Sequence, residues 1–162
     1  MSRLDSFIRR LEAQRACLEA SAEMVRDLDG PIFELGLGNG RTFDHLRECL
    51  PGREIYVFER QVAAHPDCLP DADHLFLGDI HETLPTALAR FAGSVALVHT
   101  DIGTGDRGTN DQIATFLSGH LARFLRPGGL VISDQPMTLA DCEALALPGS
   151  VRPGRYFMYR RC

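Results

Sequence analysis

The chain has 162 residues, 44% of them hydrophobic, and a formal net charge of −5. That length and apolar content suit one globular domain over residues 1–162 with a core of its own, and the negative balance disfavours nonspecific binding to DNA or RNA, which dense positive charge drives. All 17 basic residues are arginine, so neither a Schiff-base lysine nor the lysine of a GK[ST] phosphate loop is available.

The opening "MSRLDSFIRRLEAQR" carries charges every few residues and does not resemble a secretion signal, and no apolar run is long enough to span a bilayer. A soluble, cytoplasmic protein without a membrane partner is expected. The five cysteines, at 17, 49, 68, 142 and 162, form no CxxC pair and read as reduced packing thiols.

In chain order, residues 3–28 read as a helix capped by Ser2, with Asp5 as the acidic partner of a capping box and "GP" as the stop. Leu4, Leu11, Leu18 and Val25 recur every seven residues, widened by Phe7, Ile8 and Leu28 and interrupted by Gln14, Arg15 and Ser21. The stripe suits packing on the helix's own domain or, alternatively, contact with a second copy of the chain. "IFELG" then reads as a strand, Phe43, Leu46 and Leu50 as one face of a helix, and "IYVFE" as a second strand. Pro66 and Pro70 leave room for at most a short helix before the third strand, "HLFLGD". Leu84, Leu88 and Phe91 mark the next helix, and "SVALVHTD" the fourth strand. A longer helix is opened by Thr109 with Gln112 as its capping partner, and "RPGG" stops it before a fifth strand, "LVISD". A short helical piece near 139–145, a loop and a last strand at "RYFMYRR" are expected to close the chain. Apolar strands separated by amphipathic helices predict an α/β fold: a doubly wound, mostly parallel, Rossmann-like sheet with helices on both faces. Residues 1–29 form its N-terminal helix, 31–137 its core and 138–162 a short C-terminal extension.

Ligands of such sheets bind at the carboxyl ends of the strands, and here those ends are acidic: Glu34, Glu59, Asp79, Asp101 and Asp134. One carboxylate there is explained as a helix cap, but five on one rim imply a site. After the first strand, Gly36, Gly38 and Gly40 spell G-x-G-x-G, whereas the dinucleotide fingerprint G-x-G-x-x-G needs a glycine where Arg41 stands. An NAD-dependent oxidoreductase is therefore the weaker reading. Glu59 falls nineteen residues after Gly40, where a carboxylate accepts both hydroxyls of a ribose.

Taken in order, "ELGLGNG", "VFER", "LGDI", "HTD" and "LRPGGLVISD" resemble the successive motifs of class I S-adenosylmethionine-dependent methyltransferases, over roughly residues 31–137. The resemblance implies S-adenosyl-L-methionine as cofactor, with Gly36, Gly38 and Gly40 against its methionine part and Glu34 organising its amino group. It also implies Glu59 at the ribose, Asp79 and Ile80 beside the adenine, and Arg60 and Asp101 among the cofactor-binding residues. A methyl acceptor in the form of a small molecule, such as a hydroxyl compound, is expected from it, with Asp101 and Asp134 as the catalytic residues. Asp101, Asp134 and Gln135 are similar to the magnesium site of catechol-type and macrocin-type O-methyltransferases, but Gln135 is longer than the usual Asn or Asp, and no metal is expected. The brief region after the fifth strand is expected to lack one of the family's last strands. His99 has two readings, a packed core residue or a base. A noncatalytic cofactor-binding or assembly module, built around the N-terminal helix, is the remaining alternative.

Overall fold

A computed structural model describes residues 2–104 and 106–162. Ser2 caps the first helix, α1 (Arg3–Met24): its hydroxyl accepts the Asp5 N–H at 3.0 Å, and the Asp5 carboxylate accepts the Ser2 N–H at 3.1 Å. This is the reciprocal pair of a capping box. The helix stops before the expected Leu28 because the Arg53 guanidinium takes the carbonyls of Val25, Arg26 and Gly30, supplying from the side the donors that a further helical turn would have given.

The remaining elements are β1 (Ile32–Leu35), α2 (Arg41–Cys49), β2 (Ile55–Glu59), β3 (Leu75–Leu77), α3 (Ile80–Phe91), β4 (Val95–Thr100), α4 (Arg107–His120), β5 (Leu125–Ser133), β6 (Cys142–Ala144) and β7 (Phe157–Arg161). They form one seven-stranded sheet in the order β3-β2-β1-β4-β5-β7-β6. The first five strands pair in parallel, and β7 runs antiparallel to both β5 and β6. The strand order reverses between β1 and β4, so their carboxyl ends open the crevice where ligands of such sheets bind.

Side chains along each strand alternate between two cores. Ile32, Val57, Leu97 and Ile132 face α1 and α2, where Cys17, Leu18, Ala22 and Leu46 meet them. Phe33, Leu35, Phe58, Val98 and Val131 face α3 and α4, against Leu84, Phe91 and Leu117. The heptad stripe of α1 is thereby divided. Leu18 and Val25 are buried in the protein's own core, a gain of about 1.5–3 kcal/mol for a leucine, whereas Leu4 is 65% exposed and Phe7 and Ile8 are also exposed. No described helix is long and apolar enough to cross a membrane.

Three expectations are corrected. Asp106, not Thr109, caps α4: its carboxylate accepts the Thr109 N–H at 2.9 Å and the Thr109 hydroxyl at 3.0 Å, so Thr109 lies inside the first turn as the capped residue. The region near 139–145 is not helical. Asp141 adopts a left-handed φ of 54°, which breaks a helix, and Cys142–Ala144 pair with β7 as the edge strand β6. With β6 and β7 in place the sheet has seven strands, so the short C-terminal region supplies the strand expected to be missing. Between β2 and β3 the two prolines leave only single 3-10 turns, Pro66–Cys68 and Ala72–His74.

Candidate active site

A cleft of about 450 Å³ opens at the carboxyl ends of β1, β2, β3 and β4. Of the residues singled out in the sequence it brings together Gly36, Gly38, Glu59, Arg60, Asp79, Ile80 and Asp101. Glu59 ends β2 and turns back over the glycine turn, where one carboxylate oxygen accepts the N–H groups of Leu37 at 2.7 Å and Gly38 at 3.2 Å. Its other oxygen accepts only the Gln61 N–H among the described residues, leaving acceptor capacity on the cleft side. Asp79 caps α3 through the His81 N–H at 2.8 Å and meets the His81 ring at 2.7 Å; these bonds hold its carboxyl below the usual carboxylate value. Gly38 has a φ of 52° and no atom within 4 Å of where a Cβ would stand, so a side chain there would project into the space the cleft keeps clear.

Glu34 and Gly40 do not line the cleft. Gly40 caps the start of α2 and presses on the 60s loop: a Cβ on it would lie 2.5 Å from the Cys68 Cβ and 2.8 Å from the Cys68 carbonyl oxygen. Glu34 is fully buried behind the turn. The register of β1 and β4 places Glu34 directly beside His99, and period-two alternation aims both at α1.

The result is a buried polar chain. The Thr42 hydroxyl donates to Glu34, whose second oxygen lies 2.6 Å from His99 Nδ1. His99 Nε2 lies 3.0 Å from the Tyr156 hydroxyl, which accepts from Gln14 Nε2 at 2.9 Å. The same Gln14 amide donates to Asp101 at 2.7 Å, and Arg10 donates to both Asp101 oxygens at 2.8 and 3.0 Å. Burial alone lowers the His99 pKa, but the Glu34 carboxylate, with Asp101 and Asp134 adding to it, holds the ring above its usual value. When neutral, His99 gives Nδ1–H to Glu34 and takes the Tyr156 O–H at Nε2; when protonated, it donates from both nitrogens. Burial also pushes the Tyr156 hydroxyl far above its usual range, so it stays neutral. His99 is thus a packed, hydrogen-bonded residue, and the chain it joins runs from beneath the glycine turn to the mouth of the cleft.

Asp134 directly follows β5 and lines a second cavity of about 220 Å³ with Arg10, Gly103, Thr104, Asn110, Gln135, Arg155 and Tyr156. Gly103 and Thr104 also line the first cleft, so they form a common wall. Asp134 presses on that wall, an oxygen lying 2.4 Å from where a Gly103 Cβ would be. Burial lifts its carboxyl, the 3.0 Å bond from Gln135 restrains the rise, and the neighbouring Asp101 carboxylate adds to it, for a value of about 6. Gln135 bonds to Asp134 here, and Arg10 and Gln14 take the Asp101 oxygens. Among the described residues no group of three or more His, Cys, Asp or Glu is placed to hold a metal.

Arg10, Gln14 and Tyr156 were not legible as site residues. The one signal was Gln14 itself, a polar residue interrupting an apolar stripe and 6% exposed in the fold. Tyr156 sits just before β7 in a segment read only as a closing strand.

A family described as S-adenosyl-L-methionine methyltransferase matches residues 1–161. An S-adenosyl-L-methionine methyl transferase from Silicibacter pomeroyi DSS-3 is 50% identical, with a TM-score of 0.95 over 100% of this chain and 99% of that one. At the level of fold alone, the O-methyltransferase TomG of Streptomyces achromogenes, solved in complex with SAM, is 15% identical with a TM-score of 0.58 over 89% of this chain and 78% of that one. The putative methyltransferase yhhF of Escherichia coli is 14% identical with a TM-score of 0.58, covering 90% and 85%. No curated protein matches the sequence. The family and the 50% identical relative bear out the methyltransferase reading. The chain is a member of the S-adenosyl-L-methionine-dependent methyltransferase family.

Proposed function

We propose that the enzyme methylates a small-molecule acceptor, at a hydroxyl, where the cofactor cleft and the Asp134 cavity adjoin at Gly103 and Thr104. The observation that carries this reading is the shared wall itself: the cleft with the glycine turn lies on one side, and Asp134, with a pKa lifted to about 6, on the other. The cleft fits S-adenosylmethionine, since Gly38 leaves backbone-level room for its amino-acid end, and the Glu59, Asp79 and Asp101 carboxylates suit a ligand carrying an ammonium and a sulfonium. When bound, that cofactor supplies an electrophilic methyl whose bonding electrons depart with sulfur. Glu59 accepts from the ribose hydroxyls, with Arg60 alongside, and the Asp79–Ile80 corner borders the adenine. Glu34 and Gly40 act from behind, fixing the turn through Thr42 and through close packing on Cys68. Asp101 orients the reacting groups, and Asp134 takes the acceptor's proton as the new bond to carbon forms. Arg10 and Gln14 bond to the Asp101 oxygens and fix the carboxylate's orientation, and the proposed transfer uses no resident metal. A cytoplasmic enzyme acting on no nucleic acid suits the net charge of −5.

The test is cofactor binding. S-adenosylhomocysteine is expected to raise the melting temperature by mass action while NAD does not. Glu59→Ala is expected to weaken that binding by about 1–3 kcal/mol, the range for hydrogen bonds to a charged group, with the fold retained. No shift with S-adenosylhomocysteine in folded protein defeats the reading, and a Glu59→Ala variant of unchanged affinity returns Glu59 to a purely structural role at the glycine turn.

The exposed Leu4, Phe7 and Ile8 are assigned to contact with a second copy of the chain, continuing the apolar stripe that Leu18 and Val25 bury internally. Light scattering is expected to give a mass above the 17.9 kDa of one chain, and Phe7→Arg to return it to that value. A wild type that is monomeric at high concentration overturns the assignment.

A further inference from the structure

The acceptor cavity is not closed. Its Gly154–Arg155 edge continues into a groove of about 690 Å³ between α1 and the loop before β7. Arg9, Arg15, Arg152 and Arg155 line this groove against only Glu12 and Glu19, a positive balance in a chain whose net charge is −5. Arg15 approaches Glu19 at 4.0 Å, whereas among the described residues Arg9, Arg152 and Arg155 make no ion pair.

The loop that presents two of these arginines has a defined shape. Arg152-Pro153-Gly154-Arg155 is a turn, closed by the Arg155 N–H donating to the Arg152 carbonyl at 3.2 Å. Pro153 followed by Gly154 at a φ of 81° has the residue pattern of a type II turn. Val151 anchors the turn on one side, being 7% exposed, and Tyr156 on the other, at 1%. The two guanidinium groups therefore flank a fixed backbone. Planar, weakly hydrated guanidinium forks, free to turn toward the groove, favour carboxylate or phosphate oxygens over other ligands.

We propose that the methyl acceptor is an organic anion whose carboxylate or phosphate group lies on Arg152 and Arg155 while its nucleophile reaches Asp134. This rests on the reading of the second cavity as the acceptor's place. It gives the groove a role that the cofactor does not fill, and makes Arg152 and Arg155 determinants of acceptor choice without contact with the reacting atoms.

Titration calorimetry with citrate and with inorganic pyrophosphate, beside S-adenosylhomocysteine, tests the proposal on wild type and on the Arg152→Gln/Arg155→Gln variant. Both arginines are exposed, so the variant keeps the fold. Wild type is expected to bind at least one of the two anions, the preference between them telling carboxylate from phosphate, and the variant to bind it at least tenfold more weakly, with S-adenosylhomocysteine affinity unchanged. Wild type that binds S-adenosylhomocysteine but neither anion overturns the proposal. So does equal anion binding by the variant, or displacement of the anion by single-stranded RNA at lower concentration, which assigns the groove to a nucleic acid. Loss of S-adenosylhomocysteine binding alone, with anion binding intact, strikes the cofactor reading instead.

Discussion

Asp134→Asn is expected to lower the methyl-transfer rate by about 10²–10⁴-fold, the range for loss of a positioned general base, while S-adenosylhomocysteine binds as before. In wild type the rate should rise with pH through the Asp134 pKa of about 6, as the carboxyl loses its proton and becomes able to accept one; the variant should lack that rise. Stability gives an independent check with the opposite sign. The folded pKa lies above the ordinary value of 3.8, so between the two the native state binds more protons than the unfolded chain and stability falls as pH rises. Above pH 6 the full cost, on the order of a few kcal/mol, is present. Asp134→Asn removes it, so the variant should be slower and, at neutral pH, no less stable. A variant that is slower only because it is less folded would show Asp134 to be structural.

Glu34→Ala is expected to be the most destabilising single change at this end of the sheet. It strips His99 and Thr42 of their buried partner, and breaking a buried pair in this way costs about 3–5 kcal/mol, a fall in melting temperature on the order of 10 °C for a domain of this size. Because Glu34 holds His99 above its usual 6.5, the pair's contribution is whole below the unfolded imidazole pKa and is lost as pH rises through the higher folded value. Glu34→Gln, which preserves shape but not charge, should flatten that dependence. Thermal denaturation of the three proteins at pH 6 and pH 9 measures both effects, and equal melting temperatures would mean that the Glu34–His99 pair carries no stability.

These residues also mark how far the sequence could be read. The sheet was legible because its strands are apolar on both faces and its helices carry one apolar stripe each, patterns that burial imposes on every residue of an element. The acidic strand ends were legible because each falls where a run of apolar residues stops. What escaped was set by contacts between distant segments. Gln14, Tyr156 and His99 meet only after α1 and the start of β7 pack on the same face of β4, and nothing in local spacing records that. Cys142–Ala144 carry no strong strand pattern and become a strand because the β7 edge offers them hydrogen bonds, just as Asp106 displaces Thr109 as a cap by standing one turn earlier.

Gly103 and Thr104 border both the cofactor cleft and the acceptor cavity, so the methyl is expected to be handed over beside them. A crystal structure with S-adenosylhomocysteine decides this. The expected result has the ribose hydroxyls on Glu59, the amino-acid end over Gly36 and Gly38, and the sulfur at Asp101 facing the Asp134 cavity. A ligand whose sulfur points away from Gly103, or one bound outside this cleft, would contradict it.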